Sequence, residues 1–312
     1  MLTRTLDLIG RHATKFLGVG VLLGFAVPPL ASLARPLLVP ALLIPLTIAL
    51  VRLDWSAMGA YARRPLFVAA VIVWLLVISP VGMWAVLAPV PMPEALYHAL
   101  VLMAAASPII SSAAIALLLG LDAALAVVVI VVSTALLPFT LPVLALELLG
   151  LALQIDLATF MLRLGAMVGG AFAAALVVRR LVPKHAIARN ARTLDALSVI
   201  NLVIFAVAIM DGVTAFAAER PGYVALATAA AFAANLALQA IGTLAWRRLG
   251  MRRALTLGLM TGNCNMGLVM VALGRDASFD VIVFFAMAQL PMYMLPGLLT
   301  PLYRKLAARD PA

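Results

Sequence analysis

Charged residues are scarce in this chain, and their scarcity limits what kind of protein it is. Only 11% of the 312 residues are charged, whereas 66% are hydrophobic and the mean hydropathy is +1.17. A soluble domain is typically about half apolar and about a quarter charged. The composition therefore excludes an ordinary soluble protein and predicts a protein embedded in a lipid bilayer.

Cysteine and histidine are nearly absent. The single cysteine, Cys264, excludes an internal disulfide. The histidines, His12, His98 and His185, are scattered along the chain, so we expect no metal centre. Basic residues outnumber acidic ones by 22 to 12, but they lie in short segments between apolar runs rather than on one polar face. We therefore expect no nucleic acid as a partner.

Ten apolar runs follow one another along the chain. A helix needs about 20 apolar residues to cross the hydrocarbon core of a bilayer. We number the predicted membrane helices as spans one to ten, at residues 16–34, 36–52, 65–88, 95–119, 122–146, 157–178, 195–217, 221–246, 254–274 and 278–303.

The distribution of Lys and Arg predicts the orientation. With the N-terminus in the cytoplasm, 18 basic residues fall in cytoplasmic segments and three, Arg35, Arg220 and Arg275, in outer segments. An excess of basic residues marks cytoplasmic loops. We therefore expect a multi-pass protein of the cell's inner (plasma) membrane with both termini cytoplasmic. Two charged residues lie within predicted spans, Arg163 in span six and Asp211 near the outer end of span seven. The sequence does not decide whether they are functional.

Two stretches of the chain resemble each other at an offset of 154 residues. Asp122 and Pro142 of the first correspond to Asp276 and Pro296 of the second, and each Asp follows a Leu-Gly-x sequence. Internal duplication is typical of secondary transporters. Because each half holds five spans, an odd number, the second half must be inserted upside down. The expected inverted repeats are residues 1–152 and 153–312.

Polar interruptions occur in spans four and nine. Span four contains Ser-Pro-Ile-Ile-Ser-Ser at 107–112, and span nine contains Thr-Gly-Asn-Cys-Asn-Met-Gly at 261–267. We expect helix breaks at Pro108, Gly262 and Gly267, because lipid cannot satisfy the backbone groups that such residues free. Breaks at matching positions of two halves favour a binding site. The alternative is that these small residues only allow close helix packing.

The polar side chains at the breaks are the candidate binding groups. The N-termini of half-helices present amides and a positive dipole end to an anion. We expect Ser111, Ser112, Asn263 and Asn265 to contact the substrate.

The interrupted spans resemble the bile acid/sodium symporter family. The resemblance rests on the ten-span duplication, the Pro-x-x-Ser-Ser sequence at Pro108, the Asn-Met-Gly-Leu sequence at Asn265, and Val-Val-Ser-Thr-Ala-Leu-Leu-Pro ending at Pro138. It implies an all-α integral membrane protein in which helices four and nine are broken and cross. Spans three to five and eight to ten would form a core, and spans one, two, six and seven a panel. Rocking between core and panel would carry a small organic anion, usually with two sodium ions.

Several sodium-binding positions of that family are different in this chain. The family's Ser-Asn pair in helix four falls on Ser112 and Ala113, and its glutamate in helix nine falls at Met260 and Thr261. Sodium requires several oxygen ligands and compensating negative charge. Sodium symport, sodium-independent uniport and proton-coupled export therefore all stay open. The candidate ion ligands are Ser112, Thr134, Thr261, Cys264 and Gln289.

Other functional classes have little support in the sequence. An intramembrane enzyme needs a catalytic constellation inside its spans, and Cys264 has no base near it in sequence. A ligand sensor on a transporter scaffold would carry a signalling segment, and none is visible. We therefore expect a transporter without an organic cofactor and without catalytic residues.

Overall fold

The computed structural model describes residues 13–53, 59, 61, 63–150 and 156–308. This described part is helical and contains no β-strand, but one isolated antiparallel bridge joins Pro108 and Cys264. The prediction of an all-α protein is confirmed. The predicted boundary between the repeats, at 152–153, and both chain termini lie outside the described residues.

Seventeen α-helices follow one another in the described part. They are α1 (Ala13–Ala26), α2 (Pro28–Ala34), α3 (Leu38–Arg52), α4 (Pro65–Val73), α5 (Ser79–Leu87), α6 (Glu94–Ala105), α7 (Ser111–Leu118), α8 (Ala123–Leu149), α9 (Leu157–Leu181), α10 (Lys184–Arg189), α11 (Ala191–Ala208), α12 (Val213–Glu219), α13 (Pro221–Ala245), α14 (Met251–Gly262), α15 (Met266–Leu273), α16 (Phe279–Leu298) and α17 (Thr300–Ala307). A π-helical turn, Trp74–Ile78, joins α4 to α5, and 3-10 turns occupy Arg35–Leu37, Arg247–Leu249 and Gly274–Asp276.

Seven helical segments are long and apolar enough to cross a membrane, which is expected of a multi-span membrane protein. Spans four and nine are absent from this set because each consists of two short helices, α6 with α7 and α14 with α15. The seven segments are Pro28–Arg52, Pro65–Leu87, Ala123–Leu149, Leu157–Leu181, Ala191–Glu219, Pro221–Ala245 and Phe279–Leu298.

The predicted boundary between spans one and two is misplaced. The sequence predicts it at residue 35, but the helix is interrupted at Val27, and a helical run then continues to Arg52. Pro28 explains the position, because proline lacks an amide hydrogen and is favoured in the first turn of a helix. Pro36 lies in the first turn of a 3-10 segment and is tolerated there for the same reason.

Span seven is interrupted, although its sequence predicts a continuous helix over 195–217. Helix α11 ends at Ala208, and α12 begins at Val213 after Gly212, whose φ is +79°. Because the residues on both sides of the turn are apolar, the hydropathy of the sequence does not reveal the interruption. The turn holds Asp211, which accepts hydrogen bonds of 2.7 Å from the Ser32 hydroxyl and the Arg35 guanidinium.

The chain divides into two compact units. The first consists of Met1–Leu53 and Ala166–Leu226, and the second of Asp54–Gly165 and Ala227–Ala312. Each unit therefore takes residues from both halves of the duplicated sequence, so the repeats are not separate domains.

Close helix packing in the first unit depends on two glycines of α1. A Cβ atom at Gly24 would lie 2.7 Å from the Val207 carbonyl oxygen of α11, and one at Gly20 would lie 3.2 Å from the Ala206 Cβ. Small residues four positions apart allow membrane helices to approach in this way. The backbones of α1 and α11 are thus close enough that a side chain at 24 would separate them.

The two Leu-Gly-x-Asp turns of the second unit share a glycine with a positive φ angle. Gly120 and Gly274 both have left-handed φ angles, +70° and +60°, which glycine adopts without a Cβ clash. The Asp122 carboxylate caps α8 by accepting from the Leu125 amide at 2.9 Å. Asp276 instead pairs with Arg163 at 2.5 Å, so the intramembrane arginine of span six has a carboxylate partner.

We expect Gly24→Ala to destabilise the protein by about 1–3 kcal/mol, because the new methyl group must displace the α11 backbone. Gly18→Ala is the matched control on the same helix, since no atom lies within 4 Å of the Cβ position at Gly18. That control should be neutral or stabilising by up to about 1 kcal/mol. Thermal unfolding of both purified variants in detergent measures the difference, and equal unfolding temperatures would contradict the packing account.

Candidate functional site at two interrupted helices

The two predicted interruptions divide their helices into segments of equal length. Helix α6 has 12 residues and α7 has 8, while α14 also has 12 and α15 has 8. The first interruption contains residues 106–110 and the second contains residues 263–265. Gly262 is the last residue of α14, and Gly267 lies inside the first turn of α15, so Gly267 does not form part of the break.

The two interruptions pair with each other through the backbone. The Ile109 amide donates to the Asn263 carbonyl at 2.9 Å, and the Asn265 amide donates to the Ser107 carbonyl at 2.7 Å. These reciprocal bonds flank the antiparallel pair formed by Pro108 and Cys264. The segments therefore meet at one point and satisfy backbone groups that each helix break has freed.

The antiparallel geometry explains why a proline is tolerated at the centre of this pair. Pro108 and Cys264 occupy a non-hydrogen-bonded position, in which the backbone groups point away from the partner segment. The pairing therefore does not need an amide hydrogen at residue 108, and proline has none. The same residue that ends α6 is thus compatible with the contact that stabilises the break.

Side-chain hydroxyl and amide groups surround the paired backbone. The Asn263 Nδ2 donates to the Ser112 Oγ at 3.0 Å, and the Thr134 hydroxyl donates to the Ser107 hydroxyl at 3.3 Å. All four side chains are fully or almost fully buried, at 0–1% exposure. The structure therefore brings together Ser112 and Asn263 of the predicted substrate ligands and places Thr134 beside the same crossing.

Asn265 has a structural contact within the site. Its Oδ1 accepts the Leu268 amide at 3.3 Å and so caps α15. Ser111, by contrast, is exposed at the start of α7 and makes no side-chain contact with the other candidates in the described part. Of the two predicted serines, only Ser112 therefore bonds across the break.

The remaining predicted ion ligands bond mainly within their own helices. Thr261 donates to the Leu257 carbonyl at 2.7 Å, and Gln289 donates to the Phe285 carbonyl at 3.1 Å. The Cys264 thiol contacts the Thr261 carbonyl at 3.3 Å. No hydrogen bond in the described part links these three side chains to Ser112 or Thr134.

Helix α13 supports the second interruption through a buried polar chain. Tyr303 donates to Gln239, and Gln239 donates to Asn235, both at 2.5 Å. A Cβ at Gly262 would lie 2.5 Å from the Asn235 carbonyl oxygen, so α14 and α13 pack with their backbones close together. The sequence marks Asn235 and Gln239 as intramembrane polar residues, but nothing in it connects them to Tyr303, 64 residues later.

A second contact that the sequence does not predict comes from the π-helical turn. The Trp74 indole donates to the Thr261 hydroxyl at 3.2 Å, one residue before the end of α14. Single π-helical turns inside longer helices occur often at functional sites. Trp74 begins that turn and directs the polar edge of its ring to the interrupted helix.

Unpaired polar atoms show what a ligand could contact. Asn263 Oδ1 and Gln289 Oε1 are buried acceptors without a hydrogen-bond donor among the described residues. Buried acceptors of this kind are costly unless a donor or a cation reaches them. No Asp, Glu, Lys, Arg or His is among the buried side chains of the described part. The site thus offers neutral oxygens to a cation but no carboxylate.

Comparison with known families gives one match. The model of the sodium bile acid symporter family matches residues 39–219, which is more than half of the chain and includes the first interruption. A search of curated proteins finds no individual match. Members of the matched family are transporters rather than enzymes. The chain belongs to the sodium bile acid symporter family.

Proposed function

We propose that this protein is a secondary transporter of a small organic anion, and that the substrate binds where the interrupted helices cross. The observation that carries the proposal is the reciprocal backbone pairing of the two breaks, with buried Ser112 and Asn263 side chains bonded across it. Irregular backbone persists at membrane depth only where it is buried in protein or lines a watery cavity. Alternating access would expose this point to each side of the membrane in turn.

An inverted repeat of ten membrane helices is part of the proposal. The equal 12- and 8-residue segments of the two broken helices support it, as do the matching left-handed glycines of the two Leu-Gly-x-Asp turns. The division into two units also supports a panel of spans one, two, six and seven and a core of the other six. Its boundary at Leu53 falls at the end of span two and that at Leu226 near the start of span eight, whereas that at Gly165 falls inside span six.

Ion pairs between helices support the predicted pattern of membrane crossings. Four pairs of described residues each join two positions that the predicted topology places on the same side of the membrane. Two pairs lie at the cytoplasmic ends and two at the outer ends. They are Arg52 with Asp195 and Arg253 with Asp122 inside, and Arg35 with Asp211 and Arg163 with Asp276 outside.

The neutral side chains of the site support sodium as the coupling ion. Sodium binds oxygen ligands, and Asn263 and Gln289 each offer an unpaired one. Because the buried polar side chains of the described part carry no charge, the negative charge that offsets a desolvated sodium ion must come from the substrate. Sodium and the organic anion would therefore bind interdependently, with Ser112, Thr134, Thr261, Cys264 and Gln289 as the candidate ion ligands.

We expect Asn263→Ala to reduce uptake of the transported anion by more than about tenfold, because loss of a buried partner strands the Ser112 hydroxyl and costs about 1–3 kcal/mol. Uptake of a panel of labelled bile salts and short-chain carboxylates into proteoliposomes measures the effect. Asn265→Ala should instead lower the unfolding temperature, since it removes a helix cap worth about 1 kcal/mol.

The matched control is Asn201→Ala, which removes the same side chain from α11. Asn201 bonds only the Leu197 carbonyl of its own helix in the described part, so uptake should be unchanged. Wild-type uptake by a folded Asn263→Ala protein would contradict the assignment of the site.

Sodium binding should depend on the anion. Na⁺ is compared with Li⁺, K⁺ and choline at constant ionic strength. We expect Na⁺ to raise the unfolding temperature clearly only when a transported anion is present. A ligand that binds only the folded state stabilises that state by mass action. An equal sodium shift without any anion would contradict the interdependence. If the anion raises the unfolding temperature equally with and without sodium, the result would instead indicate sodium-independent uniport.

A further inference from the structure

A cavity of about 320 Å³ opens in the second unit at a distance from the crossing. It is lined by Leu121, Asp122, Leu249, Arg252 and Arg253. Ten residues of α14 separate Arg252 from the interruption after Gly262, which corresponds to about 15 Å along a helix. The cavity is therefore a separate feature from the proposed transport site, and nothing in the transport proposal uses it.

Positive charge is concentrated around this cavity. The segment 247–253 contains four arginines, of which Arg252 and Arg253 line the cavity while Arg247 and Arg248 do not. Arg252 is exposed, and its guanidinium has no partner among the described residues. Within the described part, the cavity thus holds an exposed guanidinium whose N–H groups can donate to an anion.

Among the described residues that line the cavity, Asp122 is the only acidic one, and its carboxylate already has hydrogen-bond partners. Its carboxylate accepts the Tyr61 hydroxyl at 2.5 Å and the Leu125 amide at 2.9 Å, and it lies 3.6 Å from the Arg253 Nε. Burial, and then the hydrogen bond to Asp122, raises the pKa of Tyr61 to about 12, so the phenol keeps the proton that it donates. Asp122 is therefore a fixed structural anion rather than a free one.

Arg253 lines the cavity beside Arg252, and its guanidinium lies close to both Asp122 and Tyr61. A guanidinium carries five N–H donors, so these two neighbours do not engage all of them. With Arg252 beside it, the cavity can present two forked donors to one tetrahedral anion. An arginine pair of this kind can donate to several oxygens of one phosphate group, whereas an anion with a single acceptor atom would use few of these donors.

We propose that this cavity binds the phosphate group of a phosphate ester. Its volume lies at the small end of ligand sites, which suits a phosphate with a small substituent. A membrane lipid headgroup and a soluble phosphate share this chemistry. The lipid is favoured by Leu117 and Leu118, which are 69% and 74% exposed and stand just before the cavity-lining Leu121. Basic pockets at the ends of membrane helices bind anionic headgroups.

The test compares two arginine variants of the purified protein in neutral detergent. Arg252→Gln removes a cavity guanidinium without breaking the Arg253–Asp122 pair, and Arg247→Gln removes an equal charge from the same segment outside the cavity. Each protein is titrated with inorganic phosphate against chloride at equal ionic strength. Each is also titrated with phosphatidylglycerol against phosphatidylcholine, and the unfolding temperature is recorded.

We expect at least one phosphate-bearing ligand to stabilise the wild type and Arg247→Gln equally, and to bind Arg252→Gln about tenfold more weakly. Arg252→Lys should recover only part of the affinity, because lysine keeps the charge and loses the fork. Stabilisation by both ligands identifies a general phosphate site, and stabilisation by phosphatidylglycerol alone identifies a headgroup site. Equal losses in both glutamine variants, full retention in Arg252→Gln, or no shift in the wild type would each overturn the proposal.

Discussion

The structure depends on a backbone contact between two interrupted helices. A helix that stops inside a membrane protein leaves amides and carbonyls that hydrocarbon cannot satisfy. Here each interruption supplies the partners of the other, through the Ile109 amide to Asn263 and the Asn265 amide to Ser107. Without the other interruption, each break would leave these backbone groups unpaired, so the two interrupted helices depend on each other.

The surrounding helices stabilise that contact from several directions. Gly262 allows α14 to lie close to α13, Trp74 bonds Thr261 from the π-helical turn, and Thr134 of α8 bonds the Ser107 hydroxyl. These groups are neutral, which keeps the cost of burial modest while leaving polar atoms available. A substrate bound here, as we propose, could be released, since the buried polar side chains of the described part carry no charge. Reversible binding of that kind is what transport requires.

The sequence predicts the main features of the site because they depend on residues with unusual backbone properties. Pro108 and Gly262 mark both interruptions, and the glycines before Asp122 and Asp276 mark both turns. The interruption at Asp211 could not be predicted, because apolar residues on both sides hide it. The contacts of Asp211 with Ser32 and Arg35 join residues 179 and 176 positions apart, which sequence spacing does not reveal. Similarly, the partner of Arg163 lies 113 residues away, and sequence spacing gives no signal for such a pair.

Accessibility of Cys264 tests the central claim most directly, because this only cysteine lies opposite Pro108 and is 1% exposed. The measurement is the rate of its alkylation by a membrane-impermeant maleimide in right-side-out and in inverted vesicles, with Cys264→Ser as the blank. Alternating access at the crossing predicts slow labelling from both sides, without any need to know the substrate. Labelling from one side only, or none from either side in folded protein, would contradict the account.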